Sequence, residues 1–173
     1  MTRTALEHII RAAAAIANTP NIVVIGSQSI LAQHPDAPAE LLVSIEADIY
    51  PKDDPAMAEV IDGAIGERSS FHEMFGYYAH GVGPETAIVP AGAYERLVPI
   101  CNENTQLNIG WCLEAHDLIV SKLAAGREKD LAFVKTALRC GLINPEIARE
   151  RIQSLDHSRR ELVAARFKCI EAT

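Results

Sequence analysis

Aromatic residues are scarce in this chain, at 5% of its 173 residues. Any large core must therefore be built from Ala, Leu, Ile and Val. Positive charge is also in short supply. The formal net charge is −7 at pH 7, which argues against a general electrostatic grip on nucleic acid while leaving room for a local basic patch. Paired cysteines are missing too: Cys101, Cys112, Cys140 and Cys169 are scattered without metal-site or disulfide spacing, and no signal-peptide pattern precedes them. They are expected to be reduced thiols in a cytoplasmic protein. The apolar run near the N-terminus is too short and too alanine-rich to span a bilayer. Internal repeats, low-complexity segments and linker-like breaks are absent.

The rest of the composition is ordinary for a soluble chain, with 49% hydrophobic and 23% charged residues. The length suits one domain, or a domain with a small helical appendage. The stretch over 21–50 organises the chain. Its first part, Asn21-Ile22-Val23-Val24-Ile25-Gly26-Ser27, reads as a buried strand running into a Gly-Ser turn. Its last part, 43–50, alternates and is expected to be a strand with Val43, Ile45, Ala47 and Ile49 on one face and Ser44, Glu46, Asp48 and Tyr50 on the other. Glu46 and Asp48 then stand roughly 6 to 7 Å apart along one face. Their repulsion is about 2.5 kcal/mol at an effective dielectric near 20. A divalent cation between oxygen ligands would relieve it.

In chain order, Thr4 with Glu7 has the form of a capping box, and Leu6, Ile9, Ile10, Ala13 and Ile16 follow at helical spacing up to Asn18-Thr19-Pro20. A short helix is expected over 28–33, a loop over 35–38, and a stop to the acidic strand at Pro51. Asp54-Pro55 begins the next helix, with Met57, Val60, Ile61, Ala64 and Ile65 as its apolar stripe. A helical turn over 69–75 precedes strands over 77–82 and 86–89, paired around Gly83-Pro84. A further hairpin is expected from 97–101 and 107–112. From Leu113 onward the chain reads as helical: 116–125, a break at Gly126, 127–140 capped by Gly141, a shorter helix from Asn144-Pro145, and 156–172. Mixed elements followed by helices point to an α+β or α/β core, with a division into 1–112 and a packed helical region over 113–173.

Each candidate motif has a plain structural reading beside the functional one. The Gly26-Ser27 turn offers backbone N–H groups and a hydroxyl to a phosphate, but strand-to-helix turns also use Gly for backbone reasons alone. The Glu46/Asp48 face could equally be the solvated side of a strand. Taken together, a Gly-Ser turn about twenty residues before a strand with alternating acids has the form of a metal-dependent phosphoryl-transfer site. A zinc site from His72, Glu73 and His80 with Cys101 or Cys112 lacks tight ligand spacing. His116-Asp117 reads as a helix start and Trp111 as core. Arg149, Arg151, Arg159, Arg160, Arg166 and Lys168 form either a solvated basic face or an RNA-backbone contact.

Ile25-Gly26-Ser27 followed by Glu46-Ala47-Asp48 resembles the Gly-Gly/Ser and Asp-x-Asp signature of the nucleotidyltransferase superfamily related to DNA polymerase beta. The run His116-Asp117-Leu118-Ile119-Val120-Ser121-Lys122-Leu123-Ala124-Ala125-Gly126-Arg127-Glu128-Lys129-Asp130-Leu131 is similar to the Lys…Arg-x-Lys-Asp segment of the AbiEii/MenT-type branch, which includes bacterial toxin components. Residues 76–97 are similar to uncharacterised bacterial nucleotidyltransferase-like proteins. The resemblance covers about residues 20–140 and implies an α+β fold with a mixed sheet, flanking helices and a C-terminal helical region.

It also implies site roles. Gly26, Ser27, Ser44, Lys122 and Arg127 would bind the nucleotide, Glu46 and Asp48 would ligate Mg²⁺ or Mn²⁺, and Lys122 and Asp130 would act on the phosphate and the attacking hydroxyl. Without the resemblance, 122–130 reads as an exposed helix pair bearing solvated charges. The substrate would be an NTP and the acceptor a tRNA, another RNA or a protein, with a cognate antitoxin-like protein or a second copy as further partners. Glu46 stands where the superfamily usually carries Asp, and Glu85 is the candidate for a third carboxylate. These two departures support a rival expectation, a catalytically silent nucleotide-binding or interaction protein of the same fold.

Overall fold

The computed structural model describes residues 1–172. Helix α1 (Arg3–Ala17) begins two residues earlier than the Thr4 capping box implies, because the Thr2 side chain accepts from the Ala5 N–H. Glu7 is buried instead, and takes hydrogen bonds from Arg3, Asn102 and Asn104 that tie the helix to the 102–105 loop. Asn18 ends the helix in the left-handed region at φ 49°. Leu6, Ile9, Ile10 and Ala13 are fully buried, as the spacing predicts.

Strands β1 (Asn21–Val24), β2 (Glu46–Pro51), β3 (Tyr78–Gly81), β4 (Val98–Ile100) and β5 (Ile109–Cys112) form one mixed sheet in the order β3-β2-β1-β5-β4. β1 lies antiparallel to β2 and parallel to β5, β2 is parallel to β3, and β4 is antiparallel to β5. The α+β class follows, with helices α2 (Ala58–Ile65) and α3 (Ser70–Phe75) between β2 and β3. α1 crosses β5 so closely that a Cβ at Gly110 would lie 2.3 Å from Ile10 Cδ1. A side chain at 110 would have to displace the Ile10 tip, so glycine favours the close approach of helix and strand.

Three expectations change here. The acidic strand starts at Glu46, so Val43 and Ile45 are not on its inner face; they are 77% and 47% exposed in an irregular segment before it. The strand ends at Pro51 as expected, with Pro51 paired to Ile22 as its last residue and one further hydrogen bond from the Lys52 N–H to the Asn21 carbonyl at 2.9 Å. Residues 86–89 form no strand: a 3-10 turn over Pro84–Thr86 follows β3, whose partner is β2 through the α2–α3 crossover. In α2 the inward stripe is Ala58, Ile61 and Ile65, while Val60 faces out at 49% exposure.

The helical stretch matches its expected order: α4 (Ala115–Ala125), α5 (Glu128–Arg139), α6 (Pro145–Gln153) and α7 (His157–Glu171). Gly126 takes φ 65° at the end of α4, and Asn144 and Asp156 cap α6 and α7 with their side chains. The 3-10 turn at Ser27–Ala32 lies between the sheet and α4. One continuous apolar core runs from Leu6 to Phe167 and includes residues of both 1–112 and the helices after it.

Candidate functional site

Three segments far apart in sequence meet around one cleft of about 1090 Å³. Gly26, Ser27, Ser44, Glu46, Asp48, Lys122, Arg127 and Asp130 all line it, so these expected residues are brought together, whereas the third-carboxylate candidate Glu85 is not among them. The turn after β1 is locked to β2 by the Ile25 N–H, which donates to the Asp48 carbonyl at 3.0 Å. Gly26 has an extended backbone, so its conformation alone does not require glycine. Its neighbour does: a Cβ there would lie 2.3 Å from Asp48 Oδ2. The next turn is anchored by Ser29 Oγ, donating to the Val24 carbonyl at 2.8 Å, and by Gln28 Nε2, donating to the Ser44 carbonyl at 3.0 Å.

Along β2, Ala47 and Ile49 are fully buried while Glu46 and Asp48 face the cleft. Tyr50 is buried at 4% and its hydroxyl pKa is raised, first by burial and then by Tyr94, so it is not an open extension of the acidic face. The register with β3 sets Tyr78 opposite Glu46 and His80 opposite Asp48. Tyr78 Oη donates to Glu46 Oε2 at 3.0 Å, and His80 Nδ1 stands 2.9 Å from Asp48 Oδ1. Since a carboxylate oxygen accepts, the facing ring nitrogen carries the proton. Burial and the Glu46 hydrogen bond push the Tyr78 hydroxyl up to about 12. These two β3 side chains were not legible as site residues, because the hairpin expected with 86–89 paired the strand elsewhere.

The opposite wall comes from α4 and α5. Lys122 and Asp130 are 8% and 1% exposed, so they are not the solvated charges of an exposed helix pair. Lys122 Nζ donates to Asp130 Oδ1 at 3.0 Å and lies 4.7 Å from the Phe133 ring centroid. Arg127 Nε donates to Asp130 Oδ2 at 2.5 Å, with the Arg127 side chain 63% exposed toward the opening. Burial lowers the Lys122 pKa and Asp130 offsets part of that shift. For Asp130, burial alone would raise the pKa, but hydrogen bonds and charge from Arg127 and Lys122 outweigh it and hold the group below the usual carboxylate range. Arg127 is raised, first by its hydrogen bond to Asp130, with Asp48 and Glu46 contributing across the cleft.

Glu85 does not line the cleft; it sits on the 3-10 turn Pro84–Thr86, and its charge is felt by Tyr50. The strand position facing Asp48 belongs to His80 instead. Among the described residues no group of three or more His, Cys, Asp or Glu side chains could hold a metal, which covers the zinc combination as well. Two carboxylates facing one cleft still fit Mg²⁺, which usually takes one or two protein carboxylates and completes its shell with water and substrate phosphate oxygens. The basic C-terminal side chains are mostly committed within the fold. Arg151 faces Asp117, Arg149 pairs with Glu171, Arg159 with Asp156, and Arg166 donates to the Leu123 and Ala124 carbonyls. Asp117 is held by a two-bond contact with Arg96 at 2.9 Å and 2.9 Å, and His116 by Glu114, away from the cleft. Trp111 is only half-buried and donates to Asn21.

Residues 4–171 match the family described as nucleotidyltransferase of unknown function (DUF6036). The chain belongs to that family. No curated protein and no solved structure shows a significant match to it. The nucleotidyltransferase family supplies a chemical context for a cleft with an acidic floor and a basic wall. No helix among the described residues is long and apolar enough to cross a membrane.

Proposed function

We propose that the cleft binds an NTP with Mg²⁺ or Mn²⁺ and transfers the nucleoside monophosphate to a hydroxyl of an RNA or protein acceptor. In that step the acceptor oxygen forms a bond to the α-phosphorus, the bond from that phosphorus to the bridging oxygen breaks, pyrophosphate leaves, and the proton of the hydroxyl passes to solvent water. The observation that carries this reading is the facing of Glu46 and Asp48 with Lys122 and Arg127 across one cleft that the Gly26-Ser27 turn also lines.

Glu46 and Asp48 would hold the cation, which when bound neutralises phosphate charge. Lys122 has three N–H donors and spends one on Asp130, so others are left for a phosphate oxygen. Arg127 is exposed at the opening and suits a mobile polyphosphate tail. Asp130 would position these two cations, accepting from Lys122 and Arg127. The similarity of 116–131 to the AbiEii/MenT-type branch supports an RNA or protein acceptor.

The catalytically silent reading has one observation in its favour, that His80 and not a third carboxylate faces Asp48. Labelled NTPs offered one at a time with Mg²⁺ or Mn²⁺, with total RNA and cell lysate as acceptors, separate the two. Label transfer by the wild type that is lost in folded Glu46→Ala and Asp48→Ala variants supports the transferase. Nucleotide binding without transfer for all four NTPs supports the silent protein and overturns the transferase.

A further inference from the structure

Strand β3 lies at the sheet edge, yet both of its outward side chains are spent on the acids of β2. Tyr78 holds Glu46 Oε2 and His80 holds Asp48 Oδ1, one donor for each carboxylate and one oxygen of each left over. The free oxygen of Asp48, Oδ2, is the one packed against Gly26 beside the turn. Packing does not explain these donors. The His80 side chain is 51% exposed, and Tyr78 is half-buried with its ring against His72 at 4.6 Å.

We propose that Tyr78 and His80 are positioning residues for a divalent cation: each fixes one oxygen of its carboxylate so that the other is presented to the ion. This inference rests on the metal-dependent reading of the cleft. A glutamate side chain has more rotatable bonds than an aspartate and loses more freedom when it is ordered. The Tyr78 hydroxyl restricts Glu46 before the ion arrives, and the His80 ring does the same for Asp48. Mg²⁺ and Mn²⁺ sites of two carboxylates depend on such restriction, because the ion's octahedral geometry tolerates little misplacement. Partners of this kind are typically worth about 10–100-fold in metal affinity.

The test is a titration of Mn²⁺ into the full chain without nucleotide, with free Mn²⁺ read by electron paramagnetic resonance and urea unfolding measured alongside. Tyr78→Phe keeps the ring and removes only the hydroxyl. His80→Ala removes the ring, and His80→Asn returns an N–H donor near the position of Nδ1. Tyr78→Phe and His80→Ala are each expected to weaken Mn²⁺ binding by about 10–100-fold with nearly wild-type unfolding midpoints, and His80→Asn to recover most of the loss. Affinities within twofold of wild type in both of the first two variants overturn the inference and leave the reading of the cleft standing. An affinity loss that follows the unfolding midpoint and is not recovered by asparagine also overturns it. A wild-type chain that binds no Mn²⁺ without nucleotide overturns the inference, and one that also binds none when each NTP is added overturns the metal-dependent reading as well.

Discussion

Replacing Asp130 with asparagine tests how the basic wall is held. The change keeps the shape of the side chain and removes its charge, leaving Lys122 at 8% exposure without an anionic partner. Breaking a buried ion pair from one side costs about 3–5 kcal/mol. The Arg127 part of the triad is discounted, since its side chain is 63% exposed and exposed pairs contribute only about 0–1 kcal/mol. The penalty is also capped, because an unpaired buried lysine can shed its proton. Between pH 7 and an ordinary lysine value near 10.4 that cap is about 4.6 kcal/mol.

The expected loss is therefore about 3 kcal/mol, or roughly 6–12 °C in Tm for a chain of this size. The penalty should shrink as pH rises: with Lys122 lowered by burial, the unfolded chain binds more protons in the alkaline range, and stability then increases with pH. Adding Lys122→Met to Asp130→Asn should cost less than the sum of the two single changes, because the double variant buries no unpaired charge. Urea unfolding of wild type, both single variants and the double variant reads the cycle. A single Asp130→Asn variant within about 0.5 kcal/mol of wild type, or strictly additive effects, would refute the buried-pair account.

Gly26→Ala drives a methyl into Asp48 Oδ2, and the turn or the carboxylate must yield. We expect a moderate stability loss of about 1–3 kcal/mol, but a large loss of Mn²⁺ binding by titration calorimetry; unchanged Mn²⁺ affinity would show that the methyl does not displace a ligating Asp48 carboxylate. Acid should weaken the fold through Glu7 and Asp130. Burial alone would raise Glu7, but the hydrogen bonds from Asn104, Asn102 and Arg3 hold it below its ordinary value, and Asp130 is lowered in the same way by Arg127 and Lys122. Groups lowered in the folded state contribute fully above their unfolded values near 4 and lose that contribution as pH falls toward their folded values. The urea midpoint should thus be level from pH 5 to 7 and fall below about pH 4.5, with a shallower fall in Glu7→Gln; an equally steep fall in that variant would remove Glu7 from the account.

The parts of this fold that were legible in the sequence are those set by local rules. Alternation placed Ala47 and Ile49 inside and Glu46 and Asp48 on the cleft side, and Gly126, Asn144-Pro145 and Asp156 marked helix ends that the structure keeps. Misread features depended on distant partners. Val43 and Ile45 continue the alternation, but the β3 ladder begins only at Glu46 and the β1 ladder only at Ile49, so the pattern runs past the strand. Gly83-Pro84 has the chemistry of a hairpin turn, yet it leads into a 3-10 turn, and β3 pairs with β2 in parallel, a pairing that requires a crossover and leaves no local mark.

That same non-local pairing decides what the acidic face is. Two alternating acids on a solvated strand would repel each other and gain nothing from the fold. Here Glu46 meets Tyr78, Asp48 meets His80 and Gly26, and Arg127 and Lys122 stand across the cleft with charge that reaches both acids or Asp48. The net charge of −7 describes the whole surface, and it counted against nucleic acid only as a long-range field. Within the cleft the balance is local, and the cations of the wall are oriented by a carboxylate that is itself buried. A phosphate entering between floor and wall would meet Lys122 and Arg127 already in place, and a cation would meet two carboxylates already restrained. The glutamate at position 46, the longer acid where an aspartate was expected, therefore stands in a setting with a hydroxyl donor to restrain it.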